Sequence, residues 1–240
     1  MRLPMLCTEC CFNVVPQGDT YPTYVEFRDD SCYEFTCSRG HRNITILQQQ
    51  KFEILFQIGA YAIVDGYYRE AVASFTSSLE RFYEFFIKAK LLEEGNTPEN
   101  LELIWKTVSS QSERQLGAFI FLYAQTFKEA PQLLPSSRVT FRNEVIHKGK
   151  IPTREEALSY GQAVIDTIKP VLKLTASTFP TGVKISTINH LVKNTPTGTN
   201  AGTTSTPTII SVLSAMNEEP QRSLAEEIES LSSWRSMFSY

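Results

Sequence analysis

The sequence predicts a mainly α-helical protein with a small β-hairpin unit at its N-terminus. All five cysteines of the 240-residue chain lie within its first 37 residues, beside two short β-rich, aromatic segments. From about residue 46 onward, apolar side chains recur every three or four residues, the spacing that places them on one face of a helix. We therefore expect a small unit over residues 1–45, a helical domain over 46–175, and a linker with a C-terminal helical tail over 176–240.

The N-terminal unit is expected to contain the hairpin. Residues 24–28 and 32–37 are rich in aromatic and β-branched side chains, and Asp29-Asp30-Ser31 separates them. Short strands bounded by such turn-forming residues are typical of a hairpin. We therefore expect these two segments to pair with each other.

The helical domain begins with two long predicted helices. The first runs from about 46 to 64 and ends at Asp65-Gly66. The second runs from 68 to about 92 and is the clearest of all, because its apolar residues alternate at intervals of three and four. That stripe comprises Val72, Phe75, Leu79, Phe82 and Phe86.

Helix boundaries in the rest of the domain follow from capping residues. Thr97-Pro98 offers an N-cap and a proline at the first helical position. Ser112-x-x-Gln115 and Thr153-x-x-Glu156 each match a capping box, which predicts a helix start. Pro131 and Pro135 break the chain before the segment FRNEVIHKGK.

The tail is expected to be less ordered. Residues 195–208 consist largely of Thr, Gly, Asn, Ser and Pro, which predicts a linker. Residues 211–232 carry an amphipathic pattern interrupted at Pro220, which predicts one more helix. His190, just before the linker, is expected to be an exposed residue.

Composition limits the class of protein. The net charge of −3 argues against bulk electrostatic binding of nucleic acid, so any such binding needs a local basic patch. No apolar run is long enough to cross a bilayer, and the N-terminus has no signal-peptide core. Clustered, odd-numbered cysteines are typical of metal binding in a reducing compartment, so we expect a cytoplasmic protein.

Two pairs of potential metal ligands flank the β-rich segments. Cys7-x-x-Cys10 supplies two thiolates from one tight turn, and Cys37 with His41 supplies two more donors, with Gly40 allowing the chain to fold beneath the ion. Zinc prefers four such donors in a tetrahedron, and four protein ligands leave no open position, so a structural Zn²⁺ is expected. The pattern resembles small zinc ribbons and treble-clef zinc knuckles. Buried free thiols are the alternative, and Cys11 or Cys32 could replace one of the four ligands.

The segment FRNEVIHKGK admits two interpretations. Gly149 can end a helix in the left-handed conformation, which would leave His147 and Lys148 in its last turn, where cations complement the helix dipole. Alternatively, Asn143 and His147 share one helix face, being four residues apart. Arg142 then lies about 140° round from His147, so a long side chain or a second subunit is needed for both to reach one phosphate.

Arg142, polar Asn143, three further residues and His147 match the signature of the HEPN superfamily, which the chain resembles over residues 46–174. Residues 68–90, YREAVASFTSSLERFYEFFIKAK, are similar to the second HEPN helix. The resemblance implies a helical bundle that dimerises with its two motifs facing each other. It also implies metal-independent endoribonuclease activity that leaves a 2′,3′-cyclic phosphate and a 5′-hydroxyl.

On this resemblance Arg142 and His147 are catalytic and Asn143 supports them, while Glu80 or Glu84 could reach the site. Expected partners are RNA, a second copy of the chain, and an antitoxin or other defence protein, because many relatives act in toxin–antitoxin and anti-phage systems. No membrane partner is expected.

A non-catalytic module that binds a protein or nucleotide is the alternative function. The acidic overall charge favours it, whereas the basic residues around the motif favour RNA. These are Arg138, Arg142, Lys148, Lys150 and Arg154. Zinc-dependent hydrolysis is disfavoured because the expected ligand set is closed.

Overall fold

The computed structural model describes residues 2–12, 22–217 and 222–237. It confirms a mainly α fold with a small N-terminal β-hairpin. The chain divides into two compact units. Met1–Gln50 and Thr187–Pro207 form the first, and Lys51–Ser186 and Thr208–Tyr240 form the second. The sequence placed the corresponding boundaries at residues 45 and 175, so the first unit takes in a segment that had been assigned to the tail.

The first unit contains two small sheets. Strands β1 and β2 are antiparallel, whereas β3, β4 and β5 form a second sheet in which β3 and β4 are antiparallel and β5 is parallel to β4. Its elements are β1 (Leu3–Met5), α1 (Thr8–Phe12), β2 (Thr23–Val25), β3 (Cys32–Thr36), β4 (Arg42–Leu47) and β5 (Gly202–Thr204).

The predicted pairing of residues 24–28 with 32–37 is wrong. β2 pairs with β1, and β3 pairs with β4 across the turn between Cys37 and His41. Backbone bonds close that turn, from the Gly40 N–H to the Cys37 carbonyl and from the Cys37 N–H to the His41 carbonyl. At residues 29–31 the Asp30 carboxylate instead accepts from the Arg28 side chain and the Cys32 N–H, and no ladder follows.

The predicted linker over residues 195–208 is also wrong, because it contains β5. Ile46 lies opposite Thr203 in the ladder, and the Gln49 side chain both donates to and accepts from the backbone of Thr206. His190 is half-buried rather than exposed, and its Nε2 donates to the Leu47 carbonyl at 2.9 Å. Composition alone could not show this, because the partner strand lies more than 150 residues earlier in the chain.

The second unit is helical. The helix over Pro180–Asn194 begins in this unit, and its residues from Thr187 onward are assigned to the first unit. The first predicted helix begins at residue 51 rather than 46, because residues 46 and 47 belong to β4. The helices are α2 (Lys51–Val64), α3 (Tyr68–Glu93), α4 (Pro98–Lys106), α5 (Ser112–Phe127), α6 (Ser136–His147), α7 (Arg154–Thr178), α8 (Pro180–Asn194) and α9 (Leu224–Met237).

Helix α3 lies at the centre of the second unit. All five residues of its predicted apolar stripe are at most 6% exposed, which confirms the stripe. The ring of Phe75 packs 4.6 Å from that of Phe56 on α2, measured between centroids. Two glycines, Gly59 on α2 and Gly161 on α7, let the neighbouring backbones approach the Phe75 ring, since a Cβ at either would come within 2.6 Å of it.

The predicted start of α4 is confirmed, and that of α5 is not. Thr97 Oγ1 accepts from the Asn100 N–H, with Pro98 as the first helical residue. Ser112 is the first residue inside α5 rather than its cap. The buried Gln115 amide bonds instead to the Ser109 carbonyl and the Arg81 guanidinium, so tertiary contacts use the groups that a capping box needs.

The Thr153 capping box of α7 is confirmed, and its contribution to the free energy of unfolding can be tested by substitution. Thr153 Oγ1 accepts from the Glu156 N–H, and Glu156 Oε2 accepts from the Thr153 N–H. We expect Thr153→Ala to destabilise the protein by about 1 kcal/mol, the usual cost of losing an N-cap, in urea denaturation. Ser112→Ala is the matched control, expected to stay within about 0.5 kcal/mol of wild type. Equal effects of the two substitutions would contradict this assignment.

The C-terminal part of the second unit is helical over a shorter span than predicted. Residues 211–217 are not helical, and α9 begins at Leu224; Pro220 lies outside the described residues. Before α9, the backbone N–H groups of Ile209 and Val212 donate to the buried side chains of Gln57 and Glu53. In the described ranges, no helix has the length and apolarity needed to span a bilayer.

Candidate functional sites

The first site is the cluster of the four predicted metal ligands, Cys7, Cys10, Cys37 and His41. Their ligand atoms all lie within 4.8 Å of one another, so the cluster can hold a metal ion. His41 Nδ1 is 3.3 Å from the Cys10 sulfur and 3.7 Å from the Cys7 sulfur, and the Cys10 and Cys37 sulfurs are 3.9 Å apart. All three cysteines are buried.

Two short segments of the chain, one at the start of α1 and one at the β3–β4 turn, hold these ligands. Cys7 immediately precedes α1 and Cys10 lies one turn along it, so both thiols face the same side. Cys37 and His41 flank the β3–β4 turn, in which Gly40 has a φ of +85°. Few residues other than glycine adopt this conformation, which agrees with the role expected for Gly40.

Cys11 and Cys32 lie outside the cluster. Cys11 is exposed on α1, and Cys32 is half-buried in β3. Burial is the main reason that the pKa of the Cys32 thiol is raised. The four-residue set therefore matches the primary ligand assignment from the sequence.

Two further residues, Asn43 and Glu9, contact the cluster, and neither was predicted from the sequence. The Asn43 amide donates to the Cys7 sulfur and to the His41 carbonyl, and its oxygen accepts from the Thr8 N–H. Glu9 places a carboxylate oxygen 3.7 Å from His41 Nε2, the ring nitrogen that faces away from the thiols. Such outer partners orient metal-ligating side chains, but no sequence motif marks them.

Two thiols of the cluster, those of Cys7 and Cys10, have opposite pKa shifts. Burial raises the pKa of Cys7, but hydrogen bonds from the Cys10 backbone, Asn43 and His41 outweigh it and lower the value to about 6. Burial and the neighbouring Cys7 and Cys37 raise the pKa of Cys10 to about 11. Negative charge on one sulfur thus opposes ionisation of the next, and a bound cation would relieve that repulsion.

The second site is a cleft in the helical unit, with a volume of about 320 Å³. Arg142 and Asn143 of α6, two members of the motif, line it together with Glu80 and Tyr83 of α3 and Tyr160 of α7. Apolar side chains form much of the remaining wall. They are Leu79, Leu116, Leu133, Leu134 and Val139.

His147 lies apart from this cleft. It is the last residue of α6, is exposed, and is not among the residues that line the cleft. Gly149 has a φ of +74°, which confirms its predicted left-handed conformation, and the N–H groups of Lys148 and Lys150 both donate to the Glu144 carbonyl. The imidazole is therefore open to solvent at the end of the helix.

Several polar groups in the cleft lack partners. In the described part of the chain, Glu80, Arg142 and Asn143 make no side-chain hydrogen bond or ion pair, although all three line the same cleft. Glu84, the other carboxylate considered from the sequence, is 2.6 Å from Arg81 and 2.8 Å from Lys88. Of these two carboxylates, Glu80 is the one that lines the cleft.

Two tyrosines bring hydroxyl groups to the cleft. Tyr160 shares a hydrogen bond with Thr76, and burial is the main cause of its raised pKa, which the Arg142 charge partly offsets. Tyr83 is 6% exposed, and burial strongly raises its pKa. No described residue bonds to the Tyr83 hydroxyl, so this residue joins Glu80, Arg142 and Asn143 as one whose polar group has no partner in the described part of the chain.

The predicted basic surroundings of the motif are partly neutralised. Lys150 is 2.9 Å from Glu156 and 3.6 Å from Glu144, and it lies over the ring of Phe141. Arg138 donates to the Ser159 hydroxyl. The two carboxylates therefore offset the charge of Lys150, whereas the neutral Ser159 hydroxyl leaves the charge of Arg138 in place.

Comparison with known proteins adds no assignment for either site. No family model, curated protein or solved structure matches the chain.

Proposed function

We propose that this protein is a metal-independent endoribonuclease of the HEPN type that acts as a homodimer. Arg142 binds the scissile phosphate, His147 transfers protons, and Asn143 orients the substrate or the imidazole. The observation that carries this proposal is the Arg142 side chain, which lines the cleft and has no hydrogen-bond or ion-pair partner among the described residues. A guanidinium with no carboxylate partner is available to fork two hydrogen bonds onto phosphate oxygens.

The chemistry needs no cofactor. The ribose 2′-oxygen attacks the phosphorus as its proton passes to a base, and the bond to the 5′-oxygen breaks as that oxygen takes up a proton. A 2′,3′-cyclic phosphate and a 5′-hydroxyl result. An exposed imidazole suits such proton transfer, since histidine is the side chain that most often serves as a general acid or base.

The positions of the two motif residues support a dimer. Arg142 lines the cleft whereas His147 lies outside it, and the two are about 140° apart around an ideal helix. In a homodimer, the second copy supplies its own His147 close to the first copy's Arg142, and each phosphate then receives both groups.

Incubation with total RNA in EDTA tests the proposal. We expect His147→Ala and Arg142→Ala to slow cleavage by about 100-fold or more, as removal of a general acid–base or of oxyanion stabilisation usually does. Lys106→Ala, which removes an exposed cation on α4, is the control and should cleave like wild type. Identical fragments from wild type and His147→Ala would contradict the ribonuclease proposal and favour the non-catalytic alternative.

That alternative is a HEPN-type module that binds a protein or nucleotide without cleaving RNA. The ion pairs of Lys150 favour it, because they reduce the positive charge available for RNA. Binding of a protein or nucleotide that survives His147→Ala, in the absence of cleavage, would support it.

The biological role that we propose is a cytoplasmic toxin or anti-phage effector, controlled by an antitoxin or another defence protein. Induced expression should then arrest growth in wild type and leave growth unaffected in His147→Ala. Growth arrest by both would remove this role.

We also propose that the cysteine–histidine cluster binds a structural Zn²⁺. A tetrahedral ion with Zn–S bonds of about 2.3 Å separates two sulfurs by about 3.8 Å, and a sulfur from a histidine nitrogen by about 3.6 Å. The observed separations are 3.9 Å for the sulfurs of Cys10 and Cys37, and 3.3 and 3.7 Å from His41 Nδ1 to two sulfurs. Four protein ligands complete the shell, so the ion would hold the unit together rather than act on a substrate.

A further inference from the structure

We propose that the cleft beside Arg142 is a base-selective subsite that accepts a guanine of the RNA, adjacent to the phosphate that is cleaved. This inference rests on the proposed ribonuclease function for the role of that phosphate. The selection of guanine rests on the cleft itself.

The first argument is the unpaired state of the polar groups. The Glu80 carboxylate, the Asn143 amide and the Tyr83 hydroxyl have no partner among the residues described, and Tyr83 is 6% exposed. Polar groups that line one apolar cleft and are not used by the protein itself are typical of a ligand site, where they fix the orientation of the bound molecule.

The second argument is the shape and lining of the cleft. Its volume of about 320 Å³ is at the small end of the range for ligand pockets, which suits one nucleotide rather than a longer segment. The leucines and Val139 of its wall offer apolar contact to the faces of a base. Sequence-specific RNA recognition commonly uses such pockets for bases splayed out of single strands.

The third argument is the match of donors and acceptors. The Watson–Crick edge of guanine presents two adjacent donors, N1–H and the N2 amino group, beside the O6 acceptor. A carboxylate accepts both donors at once, which assigns Glu80 to this edge, and Asn143 or Tyr83 can donate to O6. Adenine presents one donor beside an acceptor, and uracil one donor between two acceptors, so neither satisfies a carboxylate as fully.

Other polar groups in the cleft are already engaged. The Gln115 amide bonds to Arg81 and Ser109, and the Tyr160 hydroxyl bonds to Thr76. Glu113, the other carboxylate that lines the cleft, is exposed to solvent. Glu80 is therefore the half-buried, uncommitted carboxylate, and it decides which base fits.

Binding of mononucleotides tests the subsite separately from cleavage. We expect 3′-GMP to bind wild type at least about tenfold more tightly than 3′-AMP, 3′-CMP or 3′-UMP in calorimetry, as one bidentate base contact supplies. Glu80→Gln should abolish this preference, because an amide offers one acceptor in place of two. Glu84→Gln, one turn along the same helix and paired outside the cleft, should keep it.

Tyr83→Phe gives a second variant that keeps the packing. It should weaken 3′-GMP binding without lowering the melting temperature, because the hydroxyl that it removes bonds to no described residue. Equal affinity of wild type for all four nucleotides, or an unchanged guanine preference in Glu80→Gln, would overturn the subsite.

The outcomes separate the two proposals. If His147→Ala and wild type give the same RNA fragments but 3′-GMP binds in a Glu80-dependent manner, the guanine subsite stands and the ribonuclease proposal fails. If RNA is cleaved in a His147-dependent manner with no preference among the four nucleotides, the ribonuclease stands and the subsite fails.

Discussion

Cys10→Ser is expected to prevent zinc binding and to unfold the first unit, whereas Cys11→Ser, at the next position, is expected to change neither. Cys10 is 6% exposed, and its sulfur contacts both His41 and Cys37, while Cys11 is exposed and outside the cluster. Structural zinc sites supply about 10–16 kcal/mol of binding free energy, which is comparable to the whole stability of a small domain. The two sheets of the first unit contain only short strands, so they depend strongly on that energy.

Two measurements check this expectation. Elemental analysis of wild type and of Cys11→Ser should give about one zinc per chain, and Cys10→Ser should give none. Limited proteolysis should then cut Cys10→Ser and EDTA-stripped wild type in the first unit while sparing the second. A Cys10→Ser protein that retained zinc and resisted proteolysis would contradict the proposed ligand set.

Gly182→Ala should be the most destabilising single-methyl change in the helical unit. Gly182 is buried in the first turn of α8, where a Cβ would lie 1.9 Å from the Ala89 carbonyl oxygen and 2.9 Å from the Glu93 nitrogen of α3. Since the obstacle is backbone, a side-chain rotation cannot relieve it. The substitution would also disturb the bond from the Gly182 N–H to the Glu93 carboxylate. We expect a loss of about 3 kcal/mol or more, at the upper end for overpacking.

Gly117→Ala is the matched control for this substitution. Gly117 lies within α5, and no neighbouring atom would be within 4 Å of its Cβ. Alanine should therefore stabilise α5 by about 0.5–1 kcal/mol, the usual preference over glycine in a helix. Urea denaturation followed by circular dichroism at 222 nm compares the two variants. Similar midpoints for Gly182→Ala and wild type would show that the helices can separate at little cost.

The helical part of the fold could be predicted in detail from the sequence. The α3 stripe, the end of α2 at residue 64, the Thr97 and Thr153 caps and the left-handed Gly149 were all expected and are all found. Ser112 shows the limit of such patterns. The sequence matches a capping box there, but the box does not form. The Gln115 side chain bonds instead to Arg81 and to the Ser109 carbonyl.

Some residues of the candidate sites could also be predicted from the sequence, whereas others could be identified only from the structure. Spacing alone indicated Cys7, Cys10, Cys37 and His41, because each pair lies within one turn. A short motif predicted Arg142 and Asn143 as site residues, and both line the cleft, whereas the choice of Glu80 over Glu84 needed the structure. Both carboxylates lie on α3, and the ion pairs of Glu84 with Arg81 and Lys88 distinguish them.

The sequence by itself determined which segments are helical, where many of them begin and end, and which thiols can share an ion. These features depend on interactions between residues a few positions apart, which a pattern in the chain records directly. Tertiary structure alone decided that residues 202–204 pair with β4, that Gly182 must be glycine, and that Glu80, Tyr83 and Arg142 share a cleft. Those features join residues from about 60 to more than 150 positions apart, and no local periodicity encodes such contacts.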